Sequence, residues 1–376
     1  MFKLALAVFI SLFLVLEPAS AAGAGAGREV ARKTQPERKV VKKKVRRKRA
    51  DPAVAKDTRQ HLVRKVVMVR GKRKVTYYNP RKALVAAAAP AMVVRQTVGD
   101  MAGLQRTRDP LSLKSSVALA IDQASSEILF EKNANIALPI ASITKLMTGF
   151  VVVTAKQDMN EVLTVDEADV DRHKFSSSRL RVGSRMTRGD LLHIALMSSE
   201  NRAAAALARN YPGGLQAFVA MMNAKARELG MHDTRYVDSS GLSSSNVSSA
   251  RDLARLVKTA YNEPLLREYS TDPKSIVEAS GRPMMFNNTN YLVALPDWNI
   301  GLQKTGFINE AGRCLVMQAT IQGRPVIMVF LDSKGRMSRT ADAGRMRRWL
   351  ESSRPAAVTA AAPAAVSTVS AAGTVH

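Results

Sequence analysis

The stretch SITK sets Ser142 and Lys145 three residues apart within an apolar run, PIASITKLMTGFVVVTAKQ. A serine hydroxyl attacks a carbonyl only when a base takes its proton, and an amine is such a base when it is held neutral. An ordinary lysine titrates near about 10.4, so burial and nearby positive charge must bring Lys145 down to ~7 to 8. The spacing puts both side chains on one face of a helix. A position early in that helix aims free backbone N–H groups at any oxyanion that forms. The alternative is an N-capping Ser142 followed by an ordinary surface lysine.

Two other stretches can share the work. SEN, residues 199–201, lies between two predicted helices and offers the Ser199 hydroxyl and the Asn201 amide, which can relay a proton and grip a substrate amide. Its alternative is also a helix cap. KTG, residues 304–306, falls on a predicted strand, where Lys304 and Thr305 suit a substrate carboxylate and Gly306 leaves room for close backbone approach. Its alternative is a charged edge strand with a bulge. The three stretches occur once each, in this order, on helix, loop and strand.

Other chemistries find no footing. None of the five histidines is paired at metal-ligand spacing with another His, Cys or nearby acid, so no metal is expected. The phosphate loop, the dinucleotide fingerprint and the G-x-S-x-G elbow are missing, so no cofactor is expected either. Cys314 is the single cysteine and reads as a small buried hydrophobe.

The elements that must position these groups follow from periodicity. SVALAID and EILFEKN, separated by QASS, read as an antiparallel hairpin. A buried helix carrying SITK starts at Pro139, and four more helices follow in TRGDLLHIALM, NRAAAALARN, GLQAFVAMMNAKARELG and SARDLARLVKTAYN. Strands return in GLQKTGF, RCLVMQATI and RPVIMVFLD, and TADAGRMRRWLES closes the pattern as a helix. Strands, then helices, then a strand meander imply an α/β or α+β domain with a mostly antiparallel sheet flanked by helices, over residues 106–352.

The flanks differ in kind. Residues 1–21, MFKLALAVFISLFLVLEPASA, show a basic start, an apolar run of thirteen residues and an A-x-A site, the pattern of a signal peptide cleaved near Ala21. That run falls short of the roughly 20 residues of a spanning helix. The protein is therefore expected outside the cytoplasm, where nucleic acid is not a partner. The net charge of +26 is concentrated in one segment: residues 28–82 hold 22 Lys and Arg against 4 acids, including RKVVKKKVRRKRA. Residues 22–105 read as a disordered basic arm, with a marginal hairpin around Gly71, and residues 353–376 as a disordered tail. The arm is expected to meet anionic envelope surfaces.

At PIASITKLMTG, MTRGDLLHIALMSSENRAAAALARNYPGG, GMHDTRYVDSSGLS and QKTGFINEAGRCLVMQA the chain resembles the serine D-alanyl-D-alanine peptidases, low-molecular-mass penicillin-binding proteins, and among them the D-alanyl-D-alanine endopeptidases of the penicillin-binding protein 7 type. The resemblance implies a β-lactamase/transpeptidase-like fold in a periplasmic enzyme acting on peptidoglycan stem peptides, with β-lactams as covalent inhibitors. It implies Ser142 as nucleophile, Lys145 as base and Ser199 as proton relay. Asn201 would hold the substrate backbone, and Lys304 and Thr305 its carboxylate, with Lys304 also depressing the pKa of Lys145. The backbone N–H groups of Ser142 and Phe307 would form the oxyanion hole. The short stretch after RRWLES favours the endopeptidase branch over a two-domain carboxypeptidase that trims terminal D-alanine. A β-lactamase lacks its partner acid here. A wall-binding protein without activity is opposed by the intact triple motif.

Overall fold

The structure, a computed structural model, describes residues 63–69, 72–78 and 96–353. The expected signal peptide, the basic run 38–50 and the tail beyond 353 lie outside these residues. The chain divides into two units, Met1–Pro90 and Ala91–His376. In the first, β1 (Val63–Val69) pairs antiparallel with β2 (Lys72–Tyr78), in a register that sets Val66 opposite Val75. This is the hairpin expected around Gly71.

The second unit begins earlier than expected. Residues 96–105 fall within the expected arm, yet Val98–Met101 is a helical turn, α1, because Thr97 and Asp100 form a reciprocal capping box. The Val98 N–H donates to the Glu310 carbonyl, 2.9 Å away, which ties this turn to the fold. A capping box of Thr and Asp is too short a signal to stand out beside an Ala-rich run.

Next come β3 (Ser115–Asp122) and β4 (Ile128–Lys132), the predicted hairpin, then a two-residue strand, β5 (Leu138–Pro139). The buried helix does not begin at Pro139. A 3-10 turn spans Ala141–Ile143, and helix α2 runs over Thr144–Thr154. Short strands β6 (Val162–Thr164) and β7 (Arg185–Thr187) pair before three helices: α3 (Arg188–Met197), α4 (Asn201–Arg209) and α5 (Gly214–Glu228). Thr187 caps α3 by accepting from the Asp190 N–H. Strand β8 (Val247–Ser248) pairs with β5, and α6 (Ala250–Ala260) starts at a Ser249 cap. Helix α7 (Pro264–Thr271) and the hairpin β9 (Lys274–Ala279) with β10 (Arg282–Asn287) come next. The meander β11 (Asn299–Ile308), β12 (Gly312–Ile321) and β13 (Arg324–Ser333) and helix α8 (Ser338–Ser352) complete the order.

The main sheet is antiparallel throughout, in the order β11-β12-β13-β3-β4. Successive side chains on a strand point to opposite faces, and both faces are covered. Cys314, Val316, Ile327, Val329, Val117 and Leu119 face the larger core, shared with α2 to α6. Leu315, Met317, Met328, Phe330 and Ala118 face the smaller one, where Ala343 and Met346 of α8 close over them. This is the expected fold class. The sheet and α6 form one lobe and the α2–α5 cluster packs beside it, so β11, at the sheet edge, borders the turn that carries Ser142.

Candidate active site

The local chain around Ser142 is held from several directions. The Ile140 N–H donates to the Asn246 carbonyl at 3.1 Å. Ala141 stands in the left-handed region at φ 48°, a costly conformation for a residue with a β-carbon. Beside it Gly241 has φ 80°, and a β-carbon there would lie 1.9 Å from the Ala141 carbonyl oxygen. Only glycine lets that loop come so close. Thr144 Oγ1 donates to the same carbonyl at 2.8 Å and accepts from Asn246 Nδ2 at 3.0 Å.

Ser142 therefore sits in the 3-10 turn, half-buried, and makes no capping hydrogen bond. Lys145 is in the first turn of α2 and only 1% exposed, which removes the surface-lysine alternative. Its Nζ lies 3.0 Å from Ser142 Oγ, 2.7 Å from Asn201 Oδ1 and 2.7 Å from the Ser240 carbonyl oxygen. Burial takes the ammonium out of water and brings its pKa down to about 7, against the pull of the Asp238 and Glu200 carboxylates, which raise it. An amine that is substantially neutral near neutral pH, in contact with a hydroxyl, is a general base for that hydroxyl.

Asn201 opens α4, and the helix is capped by Glu200, whose carboxylate accepts from the Arg202 N–H. Neither Ser199 nor Asn201 is spent as the cap. Asn201 bridges two groups: its Oδ1 accepts from Lys145, and its Nδ2 donates to Ser176 Oγ at 2.9 Å. Ser199 stands in the turn between α3 and α4 at φ 63°, half-buried. Its hydroxyl makes no hydrogen bond to Ser142 or Lys145.

From the other side comes β11. It is the edge strand of the main sheet, with a bulge between Ile300 and Leu302, as the alternative for KTG supposed. The KTG residues are nonetheless buried rather than displayed. Lys304 is fully buried, its Nζ donating to the Thr305 carbonyl at 3.1 Å, and Thr305 Oγ1 shares a 2.6 Å hydrogen bond with Thr289 Oγ1. Burial pushes the Lys304 pKa well down, and the nearby Lys145 and Arg339 cations add to this. The main cause of the low Lys145 pKa is thus burial of Lys145 itself, not a charge on Lys304. A β-carbon on Gly306 would lie 2.8 Å from the Ile140 carbonyl oxygen and 3.1 Å from the Ser142 nitrogen. The strand backbone and the Ser142 turn are in direct apposition, and Phe307 follows at once, half-exposed.

Three contributors carried no readable signal. Asp238 accepts from the N–H groups of Ser240, Gly241 and Ser243 at 2.6, 2.6 and 2.8 Å, which shapes the loop that presents the Ser240 carbonyl to Lys145. Asn246 is buried and ties that loop to Thr144. Arg339 of α8 donates to the Gly306 carbonyl at 2.8 Å from behind the strand. A cavity of about 890 Å³ opens beside Asn201, walled by residues 167–174 and 237–244. Among the described residues no three His, Cys, Asp or Glu side chains gather as metal ligands would, and Cys314 is buried, which pushes its thiol pKa up to about 12.

Comparison with known proteins places this geometry in context. A family model described as D-alanyl-D-alanine carboxypeptidase matches residues 104–335. A D-alanyl-D-alanine endopeptidase of Pseudomonas aeruginosa is 51% identical over 255 residues, covering 67% of this chain and 82% of that protein. A D-alanyl-D-alanine endopeptidase of Escherichia coli is 43% identical over 269 residues, covering 71% and 86%. The crystal structure of the Streptomyces K15 DD-transpeptidase superposes with a TM-score of 0.60 at 27% identity, over 65% of this chain and 98% of that one.

Proposed function

The chain belongs to the D-alanyl-D-alanine carboxypeptidase family of serine peptidases, and from that premise we propose a peptidoglycan D-alanyl-D-alanine endopeptidase that cuts peptide crosslinks through an acyl-enzyme. The observation that carries the reading is the 51% identity to an endopeptidase over 255 residues, two thirds of this chain. The 3.0 Å approach of Ser142 Oγ to an amine titrating near 7 supplies the chemistry.

In this reading Ser142 Oγ gives its proton to Lys145 and bonds to the D-alanyl carbonyl carbon. The oxyanion lies between the N–H groups of Ser142 and Phe307, where fixed donors stabilise developing charge. The C–N bond then breaks, and the leaving amine takes the proton from Lys145, with Ser199 as relay. Water attacks the ester, Lys145 takes its proton, and Ser142 is released with its hydroxyl restored. Asn201 holds the substrate amide. Thr305 receives the carboxylate of the leaving residue, and the buried Lys304 supports it electrostatically. Burial lowers the Lys304 pKa, and a carboxylate beside it favours the protonated form.

The enzyme belongs where its substrate is, on the periplasmic side, with residues 1–21 as a signal peptide cleaved near Ala21. Residues 28–82 concentrate it at an anionic envelope surface by charge alone. Residues 106–352 carry the catalysis.

Two measurements on the purified protein test this. Labelled penicillin should tag the protein and fail to tag Ser142→Ala; a tagged variant sinks the mechanism. Chromatography of crosslinked muropeptides should show dimers converted to monomers. Loss of a terminal alanine alone, with dimers intact, would assign the carboxypeptidase reaction instead.

A further inference from the structure

The cavity beside Asn201 has one wall that the catalytic reading leaves unused, residues 171–174, and the turn they open runs on to Ser176. Asp171 fixes the shape of this turn from inside. Its carboxylate accepts from the N–H groups of His173 and Lys174 at 2.9 Å each and of Ser176 at 2.8 Å. Partial burial raises its pKa, and these bonds outweigh that and hold it at about 2. Ser176 Oγ then accepts from Asn201. Lys174 reaches across to the sheet lobe, its Nζ 2.5 Å from Glu310, in the turn between β11 and β12. Phe175 lies between these two anchors at φ 51° and is 82% exposed. A bulky residue in the left-handed region is strained, and an aromatic ring left in water gains nothing from burial. Such strain persists where its surroundings hold it and is frequent at ligand clamps.

The direction of the substrate gives the bridge a purpose. If the leaving carboxylate sits at Thr305 and the oxyanion at Phe307, as the peptidase reading has them, the acyl-donor stem would run along β11 toward Glu310. On that path it would meet the turn that holds Glu310 and, paired with it, Lys174. Both side chains are about one-third exposed, at 35% and 36%, and an ion pair so exposed holds only weakly. A substrate carboxylate can therefore take the place of Glu310. Arg209, on the same cavity wall, is committed elsewhere: it holds the buried Asp169 carboxylate through two hydrogen bonds of 3.0 and 2.9 Å.

We propose that Lys174 is a specificity-determining residue that exchanges Glu310 for a carboxylate of the acyl-donor stem peptide. The inference rests on the peptidase reading above for its substrate. It does not depend on which bond is cut, because the donor stem is common to the endopeptidase and carboxypeptidase reactions.

The test compares two matched pairs of substrates. One pair is a crosslinked muropeptide dimer with its donor-stem carboxylates free or amidated; the other is an uncrosslinked pentapeptide in the same two forms. Amidation removes the charge that Lys174 would bind and should lower kcat/KM about tenfold for the wild-type protein. Lys174→Ala should bring the acid-to-amide ratio close to one, and Lys174→Arg should keep most of it. Glu310→Gln removes the competitor and should raise the ratio through a lower KM for the acid. A wild-type protein indifferent to amidation overturns the proposal. So does a Lys174→Ala loss that is equal for acid and amide, since a structural role would give that result. If dimers resist cleavage while pentapeptides are trimmed, the endopeptidase reading falls, and the pentapeptide pair still decides the role of Lys174.

Discussion

Gly306→Ala tests whether the close approach of β11 to the Ser142 turn is what builds the oxyanion site. The added methyl would sit 2.8 Å from the Ile140 carbonyl oxygen, 3.1 Å from Ala141 Cβ and 3.1 Å from the Ser142 nitrogen, whereas ordinary van der Waals separation begins near 3.4 Å. The strand and the turn must separate by about 0.6 Å at the tightest point, because two of the three obstacles are backbone atoms that cannot rotate aside. Gly306 does not lie in the left-handed region, so alanine adds no backbone strain and the effect is steric alone. A 1 Å error in placing a reacting group costs about 100-fold, and a lost oxyanion donor about 100- to 1,000-fold. A shift of about 0.6 Å should then reduce acylation by labelled penicillin on the order of 10- to 100-fold. Overpacking of this kind costs about 1 to 3 kcal/mol of stability, or roughly 2 to 12 °C in Tm for a domain of this size. The protein should thus stay folded at room temperature while acylating slowly. A folded Gly306→Ala protein that acylates within threefold of wild type would refute this, since the apposition would then have no part in catalysis.

Three other outcomes follow from charge. Only the neutral Lys145 amine accepts a proton, so penicillin acylation should fall about tenfold per pH unit below the Lys145 value of about 7 and level off above it. The Asp238 carboxylate raises that pKa, so Asp238→Asn should move the acid limb to lower pH; a pH-rate profile that stays put, or moves the other way, contradicts the assignment. Deleting residues 28–82 should leave cleavage of soluble muropeptides intact and weaken the salt-sensitive binding of the protein to isolated sacculi or anionic vesicles. Equal binding by the truncated protein would remove the electrostatic role of the arm.

How far the sequence reveals the site depends on the range over which each part acts. Ser142, Lys145 and Asn201 are legible because their chemistry needs particular side chains at short spacings, and the structure joins the three through Lys145 Nζ. The main sheet is legible for a similar reason: period-two alternation is a local property, and it puts Leu315 and Met317 on one face and Cys314 and Val316 on the other. The hairpin β9–β10 escaped although its Ser280–Gly281 turn, with both φ angles positive at 52° and 73°, carries a usable dipeptide signal. Its apolar positions are split between burial and exposure, with Val277 inside and Ile276 and Met285 outside, so no clean alternation marks it. Asp238 could not be found this way. Its function is to gather three backbone N–H groups and so deliver a carbonyl, that of Ser240, to Lys145, and a carbonyl has no letter of its own. The same holds for Gly241, whose value lies in a 1.9 Å clash that any other residue would make with Ala141, 100 positions away. Residues that supply reacting side chains can be read one stretch at a time, whereas residues that supply backbone groups or empty space acquire their meaning only when the chain folds back on itself.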